Sequence, residues 1–170
     1  MLALFILFAV FGGVIILLVV FFSSTFGGLD FSTRKSVLRQ IKTIIAPYNN
    51  RHLKIYDLGS AWGRAAIYLA RALPACEIFG IDDSRFRVAI SRLRGTLVPN
   101  VHFVRQDLFT TNLSHAGIVF VYLPQELMAD LENKCQNELP SGSLVITNRV
   151  SFPSWQAEKK LGQLYVYVKK

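Results

Sequence analysis

The amino-acid sequence predicts an α/β domain built on a mostly parallel sheet. Short apolar segments typical of strands alternate with longer amphipathic segments typical of helices. The first strands are apolar throughout, as expected of strands that helices cover on both faces of a sheet. Three predicted strands in a row end in a carboxylate, at Asp57, Asp82 and Asp107. Ligands of such sheets bind at the carboxyl ends of the strands, so these acids indicate a candidate site.

The chain begins with an apolar segment, residues 1–22. It has no charged side chain, and 17 of its 22 residues are Leu, Ile, Val or Phe. As a helix it would span roughly 33 Å, enough for a bilayer core of about 30 Å. A cleaved signal peptide needs a basic start and a shorter apolar run, so the composition favours an uncleaved membrane anchor. Basic residues follow the segment, which predicts a single-pass membrane protein with the rest of its chain on the cytoplasmic side.

The domain is expected to follow a flexible linker at residues 23–30 and to occupy residues 31–170. Its first helix, within residues 32–46, has one apolar and one basic face. Such a helix can lie on a membrane surface or pack against the domain, and we favour the second. A strand at 53–58 and a helix at 62–73 come next.

The second half of the domain continues the alternation. We expect strands at 76–82, 101–107, 117–124 and 143–150, helices at 84–94 and 124–139, and an antiparallel edge or hairpin strand at 162–170.

Composition limits the partners that we expect. The net charge of +8 belongs to the part after the apolar segment and suits a surface beside an anionic bilayer. No helix-turn-helix, zinc-finger or RNA-binding aromatic motif accompanies this charge, so nucleic acid is not an expected partner. Cys76 and Cys135 have neither a disulfide framework nor metal-ligand spacing, so we expect core thiols and no metal. His52, His102 and His115 occupy positions that suggest no catalytic triad.

The segment DLGSAWG, residues 57–63, predicts a nucleotide-binding turn between the first strand and its helix. The dinucleotide pattern G-x-G-x-x-G would need a small residue at Arg64, where a long side chain obstructs helix–strand packing. The pattern D-x-G-x-G-x-G of S-adenosylmethionine (SAM) enzymes fits at Asp57, Gly59 and Gly63, with Ala61 in place of the central glycine. This alanine costs little if its φ is negative and ~1–2 kcal/mol if it is left-handed.

The residues around this turn complete a predicted SAM site. Gly59 permits the turn and a close approach of the ligand, and Gly63 lets the helix begin beside it. Ser60 lies between them and belongs to the same predicted site. Asp82 is placed to accept hydrogen bonds from the ribose hydroxyls, and Asp107 from the adenine amino group.

With these motifs the sequence resembles the lysine methyltransferases that modify the ATP synthase c-subunit and the adenine nucleotide translocase in mitochondria, together with short membrane-anchored bacterial relatives. The resemblance covers residues from about 30 to the end. It rests on DLGSAWGR, GIDDS, VHFVRQDLF, VFVYLPQELMADLENK and NRVSFPSW. In the family the loop reads G-S-G-D-G, whereas here it reads G-S-A-W-G. The family's ribose acid is Glu with Asn two residues later, whereas here Asp82 is followed by Ser84.

The resemblance implies a Rossmann-like, seven-strand SAM-dependent methyltransferase that acts on a lysine of a membrane-associated protein. Phe152, Pro153 and Trp155 match a stretch near the family's substrate side. Tyr122 and Pro124 end the fourth predicted strand, where the acceptor should meet the methyl group. Trp155 is a candidate aromatic wall for the incoming ammonium group, and for Tyr122 and Trp155 core packing is the alternative.

Two other functions remain open on the sequence alone. The apolar segment and the basic helix at 84–94 also suit a methyltransferase of a lipid head group or small amphiphile. The substitution of the central glycine by Ala61, followed by Trp62, also suits a non-catalytic, membrane-anchored interaction module that keeps the fold.

Overall fold

The computed structural model describes residues 11–15 and 33–170. The chain divides into two units, Met1–Phe31 and Ser32–Lys170. In the first unit residues 11–15 are helical; the rest of the predicted anchor and the predicted linker lie outside the described residues. Within the described ranges, no helix is long and apolar enough to cross a membrane.

The second unit is built on one seven-stranded sheet. Its strands are β1 Lys54–Leu58, β2 Glu77–Asp82, β3 Val101–Arg105, β4 Ile118–Val121, β5 Leu144–Asn148, β6 Lys159–Leu161 and β7 Leu164–Val168. The strand order is β3-β2-β1-β4-β5-β7-β6. The first five strands are parallel, and β7 is antiparallel to both β5 and β6. The predicted α/β fold and its antiparallel C-terminal strand are confirmed.

Four α-helices cover the two faces of this sheet. They are α1 Lys35–Ile45, α2 Arg64–Ala72, α3 Arg85–Gly95 and α4 Met128–Glu138. Helices α1, α2 and α3 share one apolar core with one face of the sheet, and α4 shares a second core with the other face. Side chains alternate between the cores along each central strand, as with Ile118 and Val119 of β4.

Helix α1 packs against the domain, which confirms the favoured of its two predicted positions. Val37, Leu38, Ile41 and Ile45 recur at helical spacing and are all buried. The two cysteines are also confirmed as core thiols. Both are buried and neither forms a disulfide, and burial raises the pKa of the Cys135 thiol to about 12.

Several predicted boundaries were wrong. The fourth and fifth strands end at Val121 and Asn148 rather than at residues 124 and 150. Tyr122 and Pro124 therefore follow the fourth strand and do not end it.

The third strand ends at Arg105 rather than at residue 107, because the chain turns at Asp107, whose Oδ1 accepts a hydrogen bond from the Phe109 amide at 2.8 Å. The segment before α4 opens with a 3₁₀ turn, Gln125–Leu127. For the C-terminal segment, where an edge strand or a hairpin was predicted, the structure has a hairpin of β6 and β7 that turns at Gly162 with φ +59°.

The strand order reverses between β1 and β4, which lie side by side although β2 and β3 separate them in the sequence. Connections from the two strands leave in opposite directions at such a point and open a crevice at the carboxyl edge of the sheet. The loops after β1 and β4 border this crevice.

Candidate functional site

The turn between β1 and α2 is left-handed at three of its five residues. Gly59, Ala61 and Gly63 have φ of +76°, +46° and +72°. Gly63 also lacks room for a side chain, because a Cβ there would lie 2.6 Å from the ring of Phe103 and 2.9 Å from Ser91 Cβ. At Gly59 a Cβ would meet only the flexible end of Leu123, at 2.7 Å. The predicted need for glycine therefore has a conformational cause at both positions and a steric cause at Gly63.

Ala61 occupies the left-handed conformation that costs ~1–2 kcal/mol in a residue with a Cβ. Two hydrogen bonds hold it there. Its amide donates to Asp82 Oδ2 at 2.9 Å, and its carbonyl oxygen accepts from Ser91 Oγ at 3.0 Å. The turn therefore keeps the shape that a glycine would give it. The local strain at Ala61 is offset by these hydrogen bonds to residues of β2 and α3.

Asp82 is the residue that joins this turn to the neighbouring elements. Its buried carboxylate accepts at Oδ1 from the Ser84 amide and from Arg87 Nε, both at 3.0 Å, in addition to the bond from Ala61. Burial raises the pKa of this carboxyl, while these donors lower it. Asp82 thus lies at the end of β2 and binds the turn of the predicted site, and its contact with a ribose stays a prediction.

Asp57 is a fully buried acid directly before the turn. The pKa of its carboxyl is raised to about 7. Burial is the largest cause; the charge of Asp82 also raises the pKa, and a hydrogen bond from the Ala66 amide partly opposes the rise. Its Oδ2 has no hydrogen-bond partner among the described residues, and neither has Ser60 Oγ. Unpaired buried polar atoms are rare and call for an explanation. A ligand that brings an ammonium group, as SAM does, would supply the missing partner, so Asp57 and Ser60 fit this cofactor.

Asp107 differs from the other two acids. It is exposed and lies two residues beyond β3, and its side chain bonds to the Phe109 amide of its own loop. This is an Asx turn, a common local structure of aspartate.

The predicted acceptor residues lie on two sides of the sheet. Tyr122 follows β4 and packs against the core of α1, α2 and α3, with the Arg149 guanidinium 6.0 Å from its ring centroid. Trp155 packs against the α4 core, where its ring stacks on Phe152 at 5.7 Å and contacts Tyr167 at 5.3 Å. Pro124 is partly exposed at the start of the turn before α4.

Sequence reasoning missed two residues of the site. Ser91 of α3 donates a hydrogen bond to the turn. The sequence could have indicated it, because Ser91 is a small polar residue on the same buried face of the helix as Val88 and Gly95. Asn148 ends β5 and is 1% exposed, and both polar atoms of its side chain lack a partner within the described residues. Val121 of β4 is paired with Thr147 of the parallel strand β5. The next residues along the two strands, Tyr122 and Asn148, are therefore neighbours.

Comparison with known proteins identifies the family. Residues 57–159, more than half of the chain, match the ANTKMT methyltransferase domain. The chain belongs to this family of methyltransferases. It is 30% identical over 128 residues to the adenine nucleotide translocase lysine N-methyltransferase of Mus musculus, covering 74% of this chain and 56% of the relative. It is 28% identical to the ATP synthase c-subunit lysine N-methyltransferase of Xenopus laevis, covering 73% and 55%.

Solved structures show the same fold. An RNA methyltransferase of Salinibacter ruber, in complex with S-adenosyl-L-homocysteine, superposes with a TM-score of 0.75 at 23% identity and covers 81% of this chain and 92% of that one. The Rossmann-like methyltransferase fold and the predicted cofactor, SAM, are confirmed. The chain spans about half the length of the curated relatives it matches.

Replacing Ala61 by glycine should stabilise the protein. Glycine adopts the left-handed conformation without strain, and its larger unfolded-state entropy offsets only part of this gain, so we expect about 1 kcal/mol. The measurement is urea unfolding of the full chain in detergent. The control is the same change at Ala89, an exposed residue of α3, which should destabilise by about 0.5–1 kcal/mol. Equal destabilisation by both changes would show that residue 61 is unstrained.

The stability of the ligand-free protein should fall as pH rises from about 4 to about 7. Asp57 has a folded-state pKa near 7 against an ordinary value of 3.8, so the folded protein holds a proton that the unfolded chain has released. The slope from this one group reaches at most ~1.4 kcal/mol per pH unit. Asp57→Asn, a neutral residue of the same shape, should flatten the profile measured by chemical unfolding. Profiles of equal slope in the two proteins would contradict a buried, protonated Asp57.

Proposed function

We propose that this chain is a SAM-dependent methyltransferase that acts on a lysine of a membrane-associated protein. The observation that carries the proposal is the buried Asp57, with its unpaired Oδ2, beside a left-handed glycine turn in a chain of this family. The names of the relatives support lysine as the acceptor, since those proteins are lysine N-methyltransferases of the adenine nucleotide translocase and of the ATP synthase c-subunit.

The chain's own residues bind and orient the cofactor. SAM supplies a methyl group on a cationic sulfonium. In our proposal Asp57 pairs with its ammonium group, Ser60 donates or accepts a hydrogen bond at the turn, and the amino-terminal end of α2 faces its carboxylate. Asp82 holds the turn in shape and faces the ribose. The two glycines let the backbone approach the ligand closely.

The acceptor amine has to be neutral before it can attack. An ordinary lysine has a pKa of about 10.4, and burial among apolar and aromatic groups lowers that pKa by disfavouring the ammonium form. Tyr122 and Asn148 lie side by side at the ends of β4 and β5. We propose that Asn148 Oδ1 accepts a hydrogen bond from the amine and so directs its lone pair towards the methyl group. The protein's contribution is alignment in a dry site rather than proton transfer.

The proposal includes a membrane location. The uncharged segment of residues 1–22 supports a single-pass anchor, and the basic residues after it support a domain on the cytoplasmic side. An anchored enzyme meets a membrane-associated protein at a high local concentration, because tethering makes the encounter partly intramolecular.

The test is transfer of radioactive methyl groups from SAM to native membrane fractions by the full chain in detergent. Label in a protein band that is lost when the modified lysine is changed to arginine supports the proposal. Label in the organic phase would instead favour a lipid or small amphiphile as acceptor. A folded protein that binds SAM but labels neither phase would favour the non-catalytic interaction module.

Asn148→Leu should separate activity from stability. Removing a buried, unpaired amide relieves a cost of about 1–3 kcal/mol, so the free energy of unfolding should rise or stay unchanged. Methyl transfer should fall at least ~10-fold, because the amine loses its orienting acceptor. Both quantities are measured on the same preparation, by chemical unfolding and by initial rates.

Asn100→Leu is the matched control for this prediction. Asn100 is also buried, but its Nδ2 donates to the carbonyl oxygens of Ala70, Leu73 and Cys76. Its replacement should lower the free energy of unfolding, because those carbonyl oxygens lose their hydrogen-bond donor. An Asn148→Leu protein that unfolds as readily as the control, or methylates as fast as the wild type, would refute the proposed role of Asn148.

A further inference from the structure

The outer side of α3 exposes large apolar side chains. Phe86, Leu93 and Leu97 are 40%, 73% and 90% exposed. They recur at spacings of seven and four residues, so they lie along one side of the helix and of the turn that continues it. The ring of Phe86 also contacts Trp62 of the cofactor turn edge-on, at 5.9 Å between centroids. Grouped apolar exposure of this kind, surrounded by charged residues, is typical of an interaction surface.

The helices on this side of the sheet are basic, although Asp82 and Asp83, just before α3, pair with Arg87. Helices α1, α2 and α3 together have nine Lys and Arg residues and no Asp or Glu, whereas α4 has three acids and one lysine. Two arginines of α3 donate to backbone oxygens rather than to carboxylates: Arg92 to Phe103 at 2.9 Å and Arg94 to Trp62 at 2.7 Å. These contacts fix the side chains but leave their charge uncompensated.

A groove of about 540 Å³ between α1 and α2 extends this basic surface. Five of the residues that line it are cationic and none is acidic. They are Lys35, Arg39, Arg64, Arg71 and Arg94. Arg94 belongs both to the groove and to α3, so the groove and the apolar side of α3 form one continuous surface, here called the basic face.

We propose that the basic face docks on an anionic phospholipid bilayer. Apolar side chains that can enter the acyl boundary, next to arginines that can bind lipid phosphates, are the features of a helix that lies in a membrane interface. A nucleic acid would use the cations but not Leu93 and Leu97. The same chain has the uncharged apolar segment of residues 1–22, which brings a membrane within reach of the domain.

Docking in this orientation places the cofactor turn at the lipid surface. Trp62 touches the basic face twice, through its ring on Phe86 and through its carbonyl oxygen, which accepts from Arg94. The crevice between β1 and β4 then opens beside the bilayer, where a membrane-associated protein presents its side chains.

The experiment uses the full chain reconstituted in vesicles, with a fluorophore that responds to polarity on a cysteine at Leu97 (Leu97→Cys). The native Cys76 and Cys135 are buried, so the added thiol is labelled selectively. The vesicles are phosphatidylcholine alone or with roughly one-third phosphatidylglycerol. Brominated lipids quench a label that contacts acyl chains. A label on Asp130→Cys, at an exposed position of α4, reports on the opposite side of the domain.

We expect quenching of the Leu97 label in the anionic vesicles only, reversed by high salt, and no quenching of the Asp130 label. Arg39→Gln with Arg71→Gln should weaken docking about 10- to 30-fold, from about 1 kcal/mol per cation near an anionic surface. Lys159→Gln with Lys160→Gln, the same change of charge on β6, should leave it unchanged.

Three results would overturn the proposal. They are equal quenching of the two labels, quenching that does not depend on anionic lipid, and no quenching of the Leu97 label in anionic vesicles. In the last case, a shift of the Leu97 label on addition of RNA or an acidic protein would assign the basic face to that partner instead. None of these readouts depends on methyl transfer, so failure of docking and failure of the proposed function are distinguishable.

Discussion

The left-handed turn between β1 and α2 is the constraint on which the site depends. Three of its five residues have positive φ, and only two of them are glycine. The third, Ala61, keeps its conformation because Asp82 accepts from its amide and Ser91 donates to its carbonyl. Since Asp82 ends β2 and Ser91 lies in α3, the shape of the turn follows from the packing of the second β–α unit against the first. A change in the packing of β2 or α3 would therefore change the shape of the turn as well.

The unpaired polar atoms identified in the described domain lie at the carboxyl ends of β1 and β5. Asp57 Oδ2 and Ser60 Oγ lie by the turn that we propose for the cofactor, and Asn148 lies on the side that we propose for the acceptor. Elsewhere the buried side-chain amide nitrogen of Asn100 donates to three carbonyl oxygens. A fold gives up stability in this way where a ligand completes the bonding, and strained or unpaired groups are typical of functional sites. The same edge holds the strained turn, so the cost in stability is concentrated where we propose that the ligands bind.

The sequence was sufficient for the fold class and for the turn after the first strand because both rest on local rules. Alternating apolar strands and amphipathic helices predicted the parallel sheet, and the spacing of Asp57, Gly59 and Gly63 predicted the turn. Asn148 and Ser91 were missed because their roles depend on neighbours distant in the sequence. The strand β6 was missed because Lys159 and Lys160 give a short, charged edge strand without the usual apolar alternation. Asp107 was placed at a strand end, whereas its own side chain ends the strand early by bonding to the Phe109 amide.

The most direct test of the account is calorimetric titration of SAM into the full chain in detergent, with Asp82→Asn and Asp83→Asn compared with the wild type. The two acids are adjacent, but Asp82 is buried under the turn whereas the Asp83 side chain is 78% exposed. The account predicts binding by the wild type and by Asp83→Asn with similar affinity, and binding at least ~10-fold weaker by Asp82→Asn, because the turn loses the carboxylate that holds it. Undiminished affinity in Asp82→Asn, or no binding by a folded wild type, would contradict the claim that this turn is the cofactor site.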